Sequence, residues 1–158
     1  MARLKTGALF RAVCQIGALL AGADSHQAAA LGRYGSDLGV AFQIRDDLIL
    51  FADPDISDKP IGSDLANGRP TLPVLMAYQT SDSDTRLAMG AALARRSAEP
   101  AEVEEFRSLL LATGALQGCL DHANEYGRRA LAELSRLRPS HSVDLLTGIV
   151  RWAVITRP

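Results

Sequence analysis

Cysteine is scarce, with two among 158 residues, and that scarcity removes two kinds of scaffold. Cys14 stands alone, and Cys119 has His122 three residues on but no second such pair, so neither a disulfide framework nor a zinc site is indicated. Both cysteines read as reduced, small core residues. Aromatic residues make up only 5% of the chain, and Tyr34, Tyr126, Trp152 and the phenylalanines are expected in the core. Charge of one sign is not in excess: 17 Lys and Arg face 18 Asp and Glu, a formal net charge of −1. With no long Lys/Arg cluster, nucleic acid is not an expected partner. Long apolar runs are missing too. Arg11, Gln15, Asp24 and Arg33 interrupt the longest stretches, so none approaches the roughly 18 to 20 residues of a transmembrane segment. Arg3 and Lys5 ahead of an apolar stretch within residues 1–22 imitate a signal peptide, but a motif described below accounts for them better, and the expected setting is cytoplasmic.

What is present is an ordinary globular composition, 47% apolar and 22% charged, in a length that suits one domain with a sizeable core. The pattern is all-α, with no convincing strand, internal repeat or low-complexity tract, and residues 1–158 are expected to form a single all-helical domain. Apolar residues at helical spacing predict a helix over Thr6 to Ala21, a stop at Gly22, and a second helix from about Ser25 to Ala52. Asp53-Pro54-Asp55 closes it, and the polar, Gly- and Pro-containing segment to Pro70 reads as a loop, where ligands are commonly held. Pro70 is expected to open the next helix, with Leu72, Leu75 and Met76, and Asp82-Ser83-Asp84 to precede another over Leu87 to Arg96. Ser97 to Pro100 is a short break. Glu102 to Thr113 and Leu116 to Leu137 continue the helical periodicity, and Ser142 or Asp144 is expected to cap a final helix through Thr156. His26, His122 and His141 are scattered and read as surface or satisfied histidines.

The chemistry concentrates in Phe42-Gln43-Ile44-Arg45-Asp46-Asp47 and in the segments Lys59-Pro60-Ile61-Gly62-Ser63-Asp64 and Arg69-Pro70-Thr71-Leu72-Pro73 that follow. Mg²⁺ keeps several waters and is usually held by one or two carboxylates plus substrate phosphate oxygens, so Asp46 and Asp47 meet the minimum for a site. On a helix, Gln43 lies three and four residues before them on a neighbouring part of the same face. Lys59 and Arg69 supply opposing positive charge, the ammonium as a point charge and the guanidinium as a bidentate donor to phosphate. An Asp-Asp pair alone is more often a solvated helix face. This pair, however, interrupts the mostly apolar run Leu38 to Phe51, where carboxylates are costly unless paired or bound to metal.

These motifs, with Lys5-Thr6 upstream, resemble those of the trans-isoprenyl diphosphate synthases, the polyprenyl synthetase family. Residues 42–47 resemble its second aspartate-rich motif and Lys5-Thr6 its Lys-Thr motif, and the resemblance covers Lys5 to about Tyr78, roughly half the chain. It implies a helical bundle, here a partial isoprenoid-synthase fold, and a prenyltransferase that ionises an allylic diphosphate with the help of Mg²⁺. The resulting carbocation is attacked by isopentenyl diphosphate. By resemblance, Asp46 is a direct Mg²⁺ ligand, Asp47 acts directly or through water, and Asp64 hydrogen-bonds metal-bound water. Lys5 and Lys59 match lysines that contact the allylic diphosphate, and Arg69 stands where a basic residue follows Gly68. Thr6 and Gln43 match residues whose oxygens face the developing cation, where fixed dipoles in a dry site are most effective.

Two departures bear on that reading. The family's second motif runs Asp-Asp-x-x-Asp, yet Leu50 holds its final position, and a helix sets Asp53 roughly 10 Å beyond Asp46. Weaker Mg²⁺ binding is therefore expected. The family's first aspartate-rich motif lies upstream of its Lys-Thr motif, and these residues hold no second Asp-Asp pair. Three readings follow. One is a C-terminal half of a prenyl chain-elongating synthase, weak or inactive in isolation. Another is a non-catalytic subunit that completes or regulates a fuller synthase, since these enzymes pair through helices as homo-oligomers or with another chain. The last is a remnant unable to bury its core alone.

Overall fold

The computed structural model describes residues 3–49, 51, 63–97 and 99–155. No strand occurs among them. A π-helical turn, Arg3–Gly7, leads into α1, Ala8–Leu20, followed by α2, Ser25–Ile49, and a single-turn α3, Ser63–Ala66. Then come α4, Leu72–Thr80, α5, Ser83–Arg95, α6, Pro100–Ala112, α7, Ala115–Leu134, and α8, His141–Ile155. Two compact units result: Met1–Arg45 with Asp121–Arg157, and Asp46–Leu120. The boundaries fall inside α2 and α7, so each of these helices belongs partly to both.

Helix ends follow local hydrogen-bonding chemistry more closely than apolar periodicity. At the start of α2, Asp24 Oδ1 accepts from Gln27 N at 2.8 Å while Gln27 Oε1 accepts from Asp24 N at 3.1 Å, a reciprocal cap that satisfies two otherwise orphaned donors. Asp82 caps α5, accepting from Thr85 N at 2.8 Å, and those Thr85 bonds hold its carboxyl below the usual range. α5 therefore begins at Ser83, four residues before the expected Leu87. α4 opens on Leu72 and Pro73 rather than Pro70, because proline fits the first turn, where its missing N–H costs nothing. α8 starts at His141, with Ser140 Oγ accepting from Val143 N at 3.3 Å. Ser140 is thus the cap, in place of Ser142 or Asp144. The expected loop before Pro70 contains α3.

In the first unit, α1 and α2 approach closely because α2 carries glycine where they meet. A Cβ on Gly35 would stand 2.5 Å from the Phe10 carbonyl oxygen, and one on Gly39 would stand 2.9 Å from Gly7 Cα. Around this contact Tyr34, Leu38, Ala130, Leu134, Val150 and Ala153 form a core, with Phe10, Cys14 and Phe42 packed against it. Tyr34 is buried and its hydroxyl donates to the Leu146 carbonyl at 3.0 Å, which satisfies the one polar atom that burial would otherwise penalise. Burial also pushes its ionisation upward. Asp37, 7% exposed, accepts from Arg129 at 3.0 Å, and Arg129 lies over the Tyr126 ring. Trp152, expected in the core, is 63% exposed. α8 turns Val150 and Ala153 inward, leaving position 152 on the outer face of a 3.6-residue repeat.

The second unit packs Leu65, Val74, Ala77, Met89, Ala92, Val103, Phe106, Leu110 and Ala115 into its own core. Gly114, at φ +70°, makes the left-handed turn between α6 and α7 that a side chain would resist.

Glycine-to-alanine exchanges should separate contact from propensity. Alanine is favoured in a helix interior by about 1 kcal/mol, and a Cβ on Gly90 meets nothing within 4 Å, so Gly90→Ala should raise stability in urea melts by up to that amount. Gly35→Ala meets backbone that cannot move aside, and overpacking of roughly 1–3 kcal/mol should outweigh the gain and lower the midpoint. A pH series tests a second feature. Glu133, half-buried, accepts from Arg33 at 2.9 Å, and this bond holds its carboxyl below the ordinary range. A depressed folded-state value stabilises above the unfolded pKa, about 4.3, and that stabilisation is lost as pH falls through the folded value. Arg33→Met should therefore flatten the loss of stability between pH 7 and pH 3.

Candidate functional site

The turn Arg3–Gly7 sets Thr6 against α2, where Thr6 Oγ1 and Gln43 Oε1 are 2.7 Å apart. An amide oxygen has no proton to give, so the hydroxyl donates. The bond fixes the orientation of the amide and leaves the lone pairs of the Thr6 oxygen as acceptors. Both residues are half-buried, whereas Lys5, the residue before Thr6, is exposed. Gly39 makes this approach possible, since a Cβ there would stand 3.0 Å from the Thr6 carbonyl oxygen. Phe42, next to Gln43 on α2, stacks on Phe10 of α1 with 5.8 Å between ring centroids.

Asp46 and Asp47 follow Gln43 on α2 and are half-buried. Within the second unit, the Asp47 carboxylate acts on Cys119. That buried thiol is pushed up to about 11, chiefly by desolvation and secondarily by the charge of Asp47. Its Sγ lies 3.4 Å from Met76 Sδ, so the surroundings of the thiol are soft and apolar. Arg107 was not legible as a contributor: its Nε donates to the Phe51 carbonyl at 3.0 Å while Nη1 reaches Glu104 at 3.2 Å. A guanidinium just past the C-terminal end of α2 complements the orphan carbonyls and the negative end of the helix dipole. Nothing in the local sequence of α6 marks it. Arg45 likewise donates to the Trp152 carbonyl at 2.6 Å, although the sequence offered only its place inside the motif.

Arg69 is exposed, after Gly68 at φ +62°. Its carbonyl accepts from Thr71 N at 3.0 Å. Lys59 and the Asp64 side chain, like Leu50, Asp53, Asp55 and Arg157, lie outside the described residues. Thr6 and Gln43 are thus brought together, Asp46 and Asp47 share the helix of Gln43, and Lys5 and Arg69 are exposed. Among the described residues no three His, Cys, Asp or Glu side chains converge as a metal cage. Two carboxylates are instead the donor set suited to a hard cation whose remaining positions are filled by water and phosphate oxygens. No described helix is long and apolar enough to cross a membrane.

The polyprenyl synthetase family profile matches residues 1–110 of this chain. The chain belongs to the polyprenyl synthetase family. It is 36% identical over 157 residues to a geranylfarnesyl diphosphate synthase of Aeropyrum pernix, covering 98% of this chain and 48% of that one. Among solved structures it resembles a polyprenyl synthase from Caulobacter crescentus CB15, complexed with calcium and isoprenyl diphosphate. That match has a TM-score of 0.90 at 32% identity and covers 99% of this chain and 48% of the other. A geranylgeranyl pyrophosphate synthase from Corynebacterium glutamicum, complexed with the same ligands, gives 0.84 at 32% identity over 98% and 48%. The chain spans about half the length of these relatives. The all-α expectation holds throughout the described residues, and the helical synthases are its structural neighbours.

The Thr6–Gln43 bond has a direct test. Thr6→Val keeps the shape and removes the donor, which should cost about 1 kcal/mol in chemical denaturation. Thr6→Ser, which keeps the hydroxyl, should recover most of that loss.

Proposed function

We propose that this chain supplies the second aspartate-rich half of a prenyltransferase site that condenses an allylic diphosphate with isopentenyl diphosphate. The observation that carries the reading is the Thr6–Gln43 hydrogen bond at 2.7 Å on the helix that bears Asp46 and Asp47. It supports a fixed, oxygen-lined element one helical turn from two carboxylates, which is the combination that ionisation of an allylic diphosphate needs. In that reaction the C–O bond breaks with its electron pair leaving on diphosphate. The isopentenyl double bond then attacks the allylic cation, and loss of a proton restores the alkene.

Each residue has a role in this scheme. The oxygens of Thr6 and Gln43 are held in place before charge develops, so they stabilise the cation without reorganising. Lys5, Lys59 and Arg69 attract the diphosphate, as point charges in the lysines and as a fork in the arginine. Asp46 and Asp47 would hold Mg²⁺, with Asp64 bonding its water, and the ion would neutralise the leaving diphosphate. The half-buried rings of Phe10 and Phe42 offer apolar surface that would limit the water competing for the cation. A second reading is a non-catalytic subunit that completes or regulates a fuller synthase. We assign a cytoplasmic setting to either form.

Calorimetric titration of inorganic diphosphate, with and without Mg²⁺, tests the site apart from turnover. Affinity should depend on Mg²⁺ and fall by at least about tenfold in Asp46→Ala, the scale expected when a charged hydrogen-bonding partner is removed. Equal Mg²⁺-dependent binding by that variant would remove Asp46 from the site. Leu50→Asp, which restores the family's third carboxylate, should tighten Mg²⁺ binding. Condensation activity of the chain assayed alone and beside a full-length synthase then separates the two readings: product without help supports catalysis, and stimulation of the added enzyme supports the subunit role.

A further inference from the structure

We propose that the cleft between α1, α2 and α7 of the first unit binds a phosphate group, free as inorganic phosphate or carried as a monoester. Three helices each bring a guanidinium to it: Arg11 from α1, Arg33 from α2 and Arg129 from α7. Asp37 and Glu133 line the same space, with Ser36 beside them. Both acids are matched, Asp37 by Arg129 at 3.0 Å and Glu133 by Arg33 at 2.9 Å. The acid side chains are 10% and 13% exposed and their arginines 47% and 45%, so the carboxylates form the floor of the cleft and the guanidiniums its rim. Arg11 is the cation left over. Among the described residues it makes no ion pair. Its Cγ lies 3.7 Å from the point where a Cβ would stand on Gly32, so it crosses α2 where that helix has no side chain. The cleft thus holds one positive charge in excess.

The chemistry of the cleft selects the anion. A guanidinium has five N–H donors, so donors remain after the two ion pairs are made. Forks arriving from three helices suit a tetrahedral oxyanion better than a planar carboxylate with two oxygens. The acids then discriminate among tetrahedral anions. A phosphate group that keeps a proton near neutral pH can donate it to a carboxylate oxygen, whereas sulfate has none to give and meets Asp37 and Glu133 only as like charges. The volume, about 220 Å³, holds one such group with a few waters, each of which takes roughly 30 Å³. Asp37 lies six residues before Gln43, roughly 9 Å along α2, so the anion sits apart from the Thr6–Gln43 bond. It would bridge α1, which follows the Lys-Thr turn, to α2 and α7. The inference rests on the charge arrangement within the first unit and stands independently of the diphosphate reading.

Calorimetric titration of the full 158-residue chain with inorganic phosphate, glycerol phosphate and sulfate, in EDTA to remove divalent metal, provides the test. Saturable binding of phosphate, tighter than that of sulfate, is expected, and the tighter of the two phosphate compounds identifies the source. Arg11→Met should weaken phosphate binding at least about tenfold, as when a charged hydrogen-bonding partner is removed, and Arg11→Lys, which keeps the charge, should lose less. Glu133→Gln removes a like charge and should tighten sulfate about fivefold, the effect of one unit charge at about 4 Å in water. Lys5→Met should leave phosphate binding unchanged, which separates this cleft from the diphosphate site. Circular dichroism of Arg11→Met should match the parent, because Arg11 is exposed. Phosphate should raise the thermal midpoint of the parent but not of that variant. The inference is overturned if neither phosphate compound saturates by about 10 mM, or if Arg11→Met binds as the parent does. It is also overturned if sulfate binds as tightly as phosphate, a result that needs no variant to fold. Loss of binding in Lys5→Met rather than Arg11→Met would place the anion at the Lys-Thr turn, again against the inference.

Discussion

The closest constraint in the first unit is backbone against backbone, where α1 and the turn before it press onto α2 at Gly35 and Gly39. Gly39 lies four residues before Gln43, one helical turn, so the gap left by its missing side chain is what lets Thr6 descend to hydrogen-bonding distance. The same approach stacks Phe10 on Phe42 and settles Cys14 beside Tyr34. Packing and site geometry therefore share one origin. Any residue larger than glycine there would push the Lys-Thr turn away from the helix that it serves.

Polar groups drawn into this unit are matched individually. Asp37 meets Arg129 and Tyr34 meets the Leu146 carbonyl. Each match costs side-chain freedom and spares a desolvated group from standing alone. These bonds tie α2 to α7 and α8, the part of the chain farthest from it in sequence. The second unit relies instead on a nearly pure hydrocarbon core around Met89, Phe106 and Leu110, with glycine or left-handed turns to reverse direction at Gly68, Arg96 and Gly114.

Helix periodicity made the all-α architecture legible, and the adjacent aspartates with the upstream Lys-Thr pair made the family legible, because both are local in sequence. Gln43 was legible through its spacing from Asp46, but its bond to Thr6 spans 37 residues and depends on a glycine contact that no periodicity encodes. Arg107 was invisible for a related reason: it answers a carbonyl 56 residues away. Helix starts were misjudged where a cap side chain outweighed the apolar pattern, as at Asp82 and Ser140. Trp152 was misplaced because residue type says less about burial than position on the helix face, and on α8 that face belongs to Val150 and Ala153.

Cys119 carries a consequence for reactivity. Sulfur is the most nucleophilic atom the chain can offer, and a thiolate close to an electrophilic intermediate would capture it covalently. Burial beside Met76, reinforced by the negative charge of Asp47, keeps this sulfur protonated at neutral pH. Desolvation, to which the charge of Asp47 adds, thus silences this nucleophile, giving the second unit an interior that is chemically quiet toward alkylating species.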